Sequence, residues 1–492
     1  MDGIRFLFCT GTSSFFALLS LGAIAQVNDN EPLASGRPGL FTGNNTVPPP
    51  LGSTAPPPPA AAPQWQVDPR PFFTDTERAA IVQFWNQPGR YFVAQPADAK
   101  TRGLYQVRQT VEGSMWFWNY NQARGLGKVN PTIDAGAQNA EQQAWERWID
   151  ARLAFEYHQA EARARQANRQ ALGIDVPVSR NLPAPAPPPA PQGLVRLAGN
   201  PPPFAAVVMP VQHVVRFETG HQYSFVDNIM IRPRYAYYRF AQGVTHGGTP
   251  LSRIAPAELQ QLFRDAGLSD TERKVMSAVS PLEGGFDSVN TYDTGFVSVG
   301  FIQFAALSTG SGSLGQAMVE YWRTFPNDFL RFFKRYGISV NPNNGQVIAL
   351  DPSTGAQLMG IEAVFKIIDD KRLTAVFQHA GRNCRSFQMA QIRASRTRFY
   401  PADDVFDVRY ANNQVIKTRV GDVIRSEAGL ATLMDRKVNL GNIRDFANIM
   451  TRVARERGAN NPQQLAQHER QMVSLYRFRR DFLRDPNLTQ PR

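Results

Sequence analysis

Two proline-rich stretches limit how this chain can fold. Residues 26–64 are rich in Pro, Gly, Ala, Asn and Ser and contain Pro56-Pro57-Pro58-Pro59. Residues 173–203 contain Pro183-Ala184-Pro185-Ala186-Pro187-Pro188-Pro189. Proline removes a backbone donor and fixes φ, so such stretches favour extended polyproline spacers over packed core. They leave two folding units, 65–172 and 204–485, in a chain of 492 residues that is long enough to bury a core in each.

Residues 1–25 read as a secretory signal. The run 6–24 is largely apolar, and Ala23-Ile24-Ala25 provides a small-x-small cleavage site before Gln26. No later segment has the roughly 18 consecutive apolar residues of a membrane span. The only cysteines are Cys9, inside that segment, and Cys384, so the mature chain is expected to hold one buried thiol and no internal disulfide. The expected location is secreted or periplasmic, in a bacterial cell envelope. The net charge of +12 implies an anionic partner, and charge alone does not choose among cell wall, lipid and nucleic acid.

The first unit opens on Thr74-Asp75-Thr76-Glu77, a capping box ahead of Ala80, Ile81, Phe84 and Trp85. It closes on a long helical pattern at 137–171. It is expected to be small and mainly helical, except that Trp116, Trp118 and Tyr120 alternate as on one face of a strand. The second unit begins with strand-like segments at 207–217, 222–225 and 230–240. A short helix at 257–266 and a second capping box, Ser269-Asp270-Thr271-Glu272, follow. Further helices read at 314–325, 327–336, 361–370, 372–380, 384–398, 426–437, 442–457 and 463–484, with 401–424 as loop and short strands. The sum is a helix-rich α+β fold with one functional hairpin.

That hairpin lies in Ser280–Ala305. Glu283 sits where a helical pattern stops, followed by Gly284 and Gly285. A carboxyl there meets the negative end of the helix dipole and apolar neighbours, and both effects raise its pKa. A glycosidase general acid needs that property. The two glycines would let a polymer approach closely, and Asp293-Thr294-Gly295 reads as a hairpin tip. Asp287 and Asp293 also suit simple Asx turns.

The segment resembles the lysozyme-like superfamily of muramidases, lytic transglycosylases and chitosanases. There a catalytic Glu ends a core helix and a β-hairpin walls the sugar cleft. The transglycosylase pattern is close to E-S-x-F/W-x-P-x-A-x-S-x-x-G-A-x-G-L-M-Q. This chain supplies Glu283, Gly285-Phe286 and Ser298-Val299-Gly300-Phe301-Ile302-Gln303. By that resemblance Glu283 is the general acid, and Ser298 and Gln303 hold substrate. The chain departs from the pattern at Gly284, where Ser is common, and in offering Asp287 and Asp293. Chitosanases and several lysozymes use a hairpin Asp as the second group. At about 6.5–9.5 Å from Glu283, Asp293 would activate water in an inverting hydrolysis. Without such a partner, one Glu would act as acid and then base and leave an anhydro-sugar. Both outcomes remain open. Tyr292, and Asn439 at the end of an apolar helix, are further substrate-side positions, while Trp322 at helical spacing with Met318 and Phe325 reads as core.

The implied activity is cleavage of β-1,4 links in an amino-sugar polymer, peptidoglycan first, without cofactor or metal. The rival expectation is a non-catalytic wall-binding or scaffold protein of the same fold. Gly310-Ser311-Gly312-Ser313-Leu314-Gly315 fits G-x-G-x-x-G by letter, but position 335, where the ribose-binding acid belongs, is Arg. No nucleic-acid motif is present, so nucleic acid is not an expected partner.

Overall fold

The structure, a computed structural model, describes residues 72–126, 139–174, 183–282, 284–477 and 480–492. The expected signal 1–25, the first spacer 26–64 and Glu283 lie outside the described residues. The described chain is a helix-rich α+β protein with small antiparallel sheets. No helix among the described residues is long and apolar enough to cross a membrane.

Both capping boxes form. Thr74 and Glu77 exchange side-chain and backbone hydrogen bonds at the start of helix Asp75–Trp85. Ser269 and Glu272 do the same for helix Asp270–Val279. Each box satisfies two donors that a helix start leaves orphaned. The second helix buries Val275, Met276 and Val279 completely, packs on helix Glu427–Leu440, and ends in the 3-10 turn Ser280–Leu282. The later helical pattern appears as Ser313–Thr324, Pro326–Phe332, Gly360–Asp369, Lys371–Asn383, Arg385–Phe399 and Phe446–Arg457. The stretch expected as one helix at 463–484 is broken into Pro462–Ala466, Glu469–Tyr476 and the short turn Phe482–Arg484.

Two sheets cross the boundary expected at 204. Strand β1 (Tyr91–Ala94) pairs with β4 (Gln212–Arg216), which pairs with β5 (Gln222–Val226). Strand β2 (Gln106–Gln109) pairs with β3 (Ala205–Val208). Trp85 seals the junction: it is 1 % exposed, donates from Nε1 to Tyr336 O at 3.0 Å, and meets Phe217 edge-on at 5.5 Å. The segment expected as a linker is also packed where it is described. It carries helix Gln192–Ala198, and its carbonyls at Pro185 and Gly199 accept from Trp148 Nε1 and Trp116 Nε1.

Two sequence expectations fail locally. Trp116, Trp118 and Tyr120 lie on helix Val111–Ala123, not a strand, with Thr110 capping through Gly113 N. Helical spacing stacks Trp116 on Tyr120 at 4.7 Å inside a small aromatic core with Phe117, Trp145, Ile149 and Phe204, and turns Trp118 aside. The aromatic run 230–240 is irregular apart from one bridge, Tyr238 to Asp293. Pro233 cannot donate to a ladder, and Asn228 and Arg234 hold left-handed backbone (φ 47° and 62°), which breaks strand geometry.

The remaining strands form three sheets. Strands β6 (Thr245–His246), β7 (Val289–Asn290), β8 (Ser298–Val299) and β9 (Phe304–Ala305) pair in that order. Strands β10 (Ile338–Val340), β11 (Val347–Leu350) and β12 (Gln357–Met359) form a meander, and β13 (Val405–Arg409) pairs with β14 (Val415–Arg419).

Trp85 ties residues on both sides of the expected linker into one core. Trp85→Ala is therefore expected to lower unfolding free energy by roughly 3–5 kcal/mol. Urea unfolding followed by tryptophan fluorescence and by far-UV circular dichroism should give one coincident transition. A late transition unaffected by the substitution would show that the two parts fold independently.

Candidate functional site

The pairing of β6–β9 sorts the segment around the hairpin into two faces. Thr245, Asn290, Ser298 and Ala305 stand directly opposite one another across the four strands, as do His246, Val289, Val299 and Phe304. Side chains alternate along a strand, so each row lies on one face. Val289, Val299 and Phe304 are at most 1 % exposed and belong to the main core. The polar row, with Asn290 and Ser298, lies on the other face.

Asp293 occupies the turn between β7 and β8. Its Oδ1 accepts from Gly295 N at 2.9 Å and its Oδ2 from Asn290 Nδ2 at 2.7 Å, while Asn290 Oδ1 accepts from Tyr292 N. Asp293 is 5 % exposed, and burial pushes its carboxyl up to about 6. The two donated hydrogen bonds and the nearby Arg239 charge pull in the opposite direction and do not prevail. The Tyr292 ring lies beside it, its hydroxyl 3.4 Å from that of Tyr235, and burial raises the pKa of both phenols.

Gln303 closes the sheet from below. Its Nε2 donates to Ser288 Oγ at 2.6 Å and to Gly300 O at 3.0 Å. Ser288 in turn donates to Gly300 O. Gln303 Oε1 and Ser298 Oγ make no hydrogen bond among the described residues. Gln303 (φ 54°), Phe296 (φ 63°) and Leu307 (φ 59°) all hold left-handed backbone. A non-glycine residue there costs on the order of 1–3 kcal/mol. Three such residues within twelve positions mark this hairpin as held in place by its surroundings.

The helices behind it do the holding. Gln391, on helix Arg385–Phe399, donates to Phe286 O and accepts from Phe301 N. Asp287 is 2 % exposed and both its oxygens are engaged. Thr249 donates from N at 2.6 Å and Oγ1 at 3.2 Å, and Arg382 of helix Lys371–Asn383 donates from Nε and Nη2 at 2.8 Å. Asp287 is therefore an anchor between β6, the hairpin and that helix. Gly285 does not make room for a polymer. A Cβ there would fall 2.2 Å from Thr249 O, so the space is filled by the chain itself. Gly284 (φ 133°) lies beside Ser288, on the approach to Gln303.

The structure thus brings Asp287, Tyr292, Asp293, Ser298 and Gln303 together around one four-stranded sheet. Asn439 is separate. It is 4 % exposed, and its amide donates to Asp435 O within helix Glu427–Leu440. Trp322 is 38 % exposed rather than core, because Tyr321 takes the inward position with its hydroxyl 3.0 Å from Cys384 Sγ.

Sequence reading missed Tyr235, Tyr237, Arg239 and His246 as neighbours of this sheet. Arg239 N bonds to Tyr292 O, and its guanidinium lies 5.8 Å from the Trp118 ring centre. His246 is partly buried, and its Nδ1 accepts from Gly248 N, which places the ring proton on Nε2. Burial lowers its pKa, opposed by Asp287 and reinforced by Arg382. None of these carries a motif; only folding places them here. No family model, curated protein or solved structure matches the chain.

Two measurements follow. Asp287→Ala strands Thr249 N–H and unpairs a partly exposed Arg382, so it should cost roughly 2–4 kcal/mol in urea unfolding. A loss under 1 kcal/mol, by the same scale, would remove its anchoring role. Asp293 has the opposite sign. Its folded pKa of about 6 exceeds the ordinary value of 3.8. The folded chain keeps a proton that the unfolded chain releases, so stability is fullest below that ordinary value and falls as pH rises to about 6. The loss is on the order of 3 kcal/mol. Asp293→Asn removes it while adding a constant penalty, because its amide nitrogen faces Asn290 Nδ2. Relative to wild type the variant should gain stability by that order between pH 4 and pH 7. Parallel stability–pH curves would contradict this.

Proposed function

We propose that the chain is a glycosidase that cleaves β-1,4 links in an amino-sugar polymer, peptidoglycan first, with a lysozyme-like catalytic domain whose cleft is walled by β6–β9. The observation that carries this reading is Asp293. It is a carboxyl with a raised pKa, held in the turn of a strained hairpin. The hairpin follows directly on a core helix whose sequence continues into Glu283. Helix, glutamate and hairpin occur in the order that the resemblance requires.

Glu283 protonates the leaving oxygen, and ionised Asp293 supports either the attacking water or the oxocarbenium charge. Ser298 Oγ and Gln303 Oε1, which have no partner among the described residues, hydrogen-bond the glycan. Tyr292 lines the wall, and Asp287 anchors it. The chemistry runs on carboxyls alone. Hydrolysis and lytic transglycosylation both fit these roles, and mass spectrometry of the products divides them. The net charge of +12 suits an anionic wall polymer, and the reading of residues 1–25 as a signal suits an envelope location.

A second reading keeps the fold as a wall-binding scaffold. It is supported by the internal commitment of Asp287 and Asn439, which leaves fewer polar groups for substrate.

Glu283→Gln should slow clearing of purified cell walls by about 100-fold or more. Wild-type clearing should fall as pH drops below about 6, where Asp293 gains its proton. Equal clearing by both proteins would end the enzymatic reading, and clearing by neither would favour the scaffold.

A further inference from the structure

An aromatic run leads away from Asp293 and ends in the N-terminal part of the chain. Tyr292 and Tyr235 have ring centres 6.1 Å apart, Tyr235 and Tyr237 5.6 Å, and Tyr237 and Trp118 5.2 Å. Tyr237 is buried and props its neighbours, whereas Trp118 and Tyr235 are only partly covered. Trp118 Nε1 has no hydrogen-bond partner among the described residues. A partly open indole and phenol beside a polar sheet face is the surface on which a pyranose ring stacks.

Two guanidinium groups accompany the run. Arg239 lies 5.8 Å from the Trp118 ring centre and Arg232 6.0 Å from that of Tyr235. Neither guanidinium has an ion pair or hydrogen bond among the described residues. Several other covered arginines are paired: Arg124 and Arg234 with Glu146, Arg372 with Asp370, Arg108 with Asn228. Arg239 is partly buried, and Asp293 is the charge that opposes the loss of its solvation. A partly desolvated fork of donors with no acceptor is a site for an incoming carboxylate.

We propose that Trp118, Tyr235, Arg232 and Arg239 form a subsite for an amino-sugar glycan bearing a carboxylate, so that helix Val111–Ala123 belongs to the glycan cleft rather than to a separate module. The subsite rests on the glycosidase reading above, because it extends the wall that carries Asp293. The sugar ring stacks on Trp118 and Tyr235, and the carboxylate accepts from Arg239 with Arg232 adding charge.

The test uses the full chain carrying Glu283→Gln, so that ligand survives, and isothermal titration with two probes. One is neutral chitotetraose. The other is a tetrasaccharide of alternating N-acetylglucosamine and N-acetylmuramic acid. The parent should bind the carboxylate-bearing probe about tenfold more tightly. Adding Arg239→Gln should erase that preference and leave chitotetraose binding unchanged, and Arg239→Lys should restore part of it. Adding Trp118→Ala should weaken both probes about tenfold. Thermal melting confirms that each variant is folded. If both probes bind and neither substitution alters affinity or preference, the subsite falls while the glycosidase reading stands. If the folded parent binds neither probe, both fall together.

Discussion

Exclusion of water from the β7–β8 turn is the constraint on which the rest depends. Nearly every residue from 285 to 306 is buried, although the segment is rich in polar side chains. A buried polar group costs free energy unless it is hydrogen-bonded, so this stretch has to be wired internally. Asn290 serves both Asp293 and the backbone at residue 292, Ser288 serves both Gln303 and Gly300, and Asp287 takes four donated bonds. Asp293 is the group for which the wiring falls short. Two hydrogen bonds and the Arg239 charge do not offset its burial, and its carboxyl holds a proton more tightly than usual.

That shortfall connects packing to the proposed chemistry. The hairpin is left-handed at Phe296, Gln303 and Leu307, a conformation that a free peptide would leave. It persists because helices Lys371–Asn383 and Arg385–Phe399 bind it through Arg382 and Gln391. The same helices rest on the core that includes Trp85 and the strands of β1 and β4. Residues before the expected linker therefore help to support the hairpin.

Much of the helical frame was legible in the sequence. Thr74-x-x-Glu77 and Ser269-x-x-Glu272 announce helix starts because the capping interaction is local. The hairpin tip at Asp293-Thr294-Gly295 was legible for the same reason. Longer-range relations were not. Asp287 and Arg382 lie far apart in sequence, and nothing in either neighbourhood foretells the pair. Trp116, Trp118 and Tyr120 fit both an alternating strand and just over one turn of helix, and the Thr110 cap favours the helix. The strands β10–β12 were not anticipated, because their short apolar runs lie between helical patterns and carry little period of their own. The meaning of Gly285 was also reversed by folding: its missing side chain admits Thr249, not a ligand.

The proposed chemistry depends on the pH at which the shielded Asp293 carboxyl gives up its proton. Selective 13C labelling of aspartate carboxyls, with Asp293→Asn to assign the signal, would follow that proton directly. A titration midpoint near pH 6 that moves when saturating muramyl tetrasaccharide is added is the predicted result. A midpoint near the ordinary 3.8, indifferent to the glycan, would contradict both the burial of this carboxyl and its place in a glycan cleft.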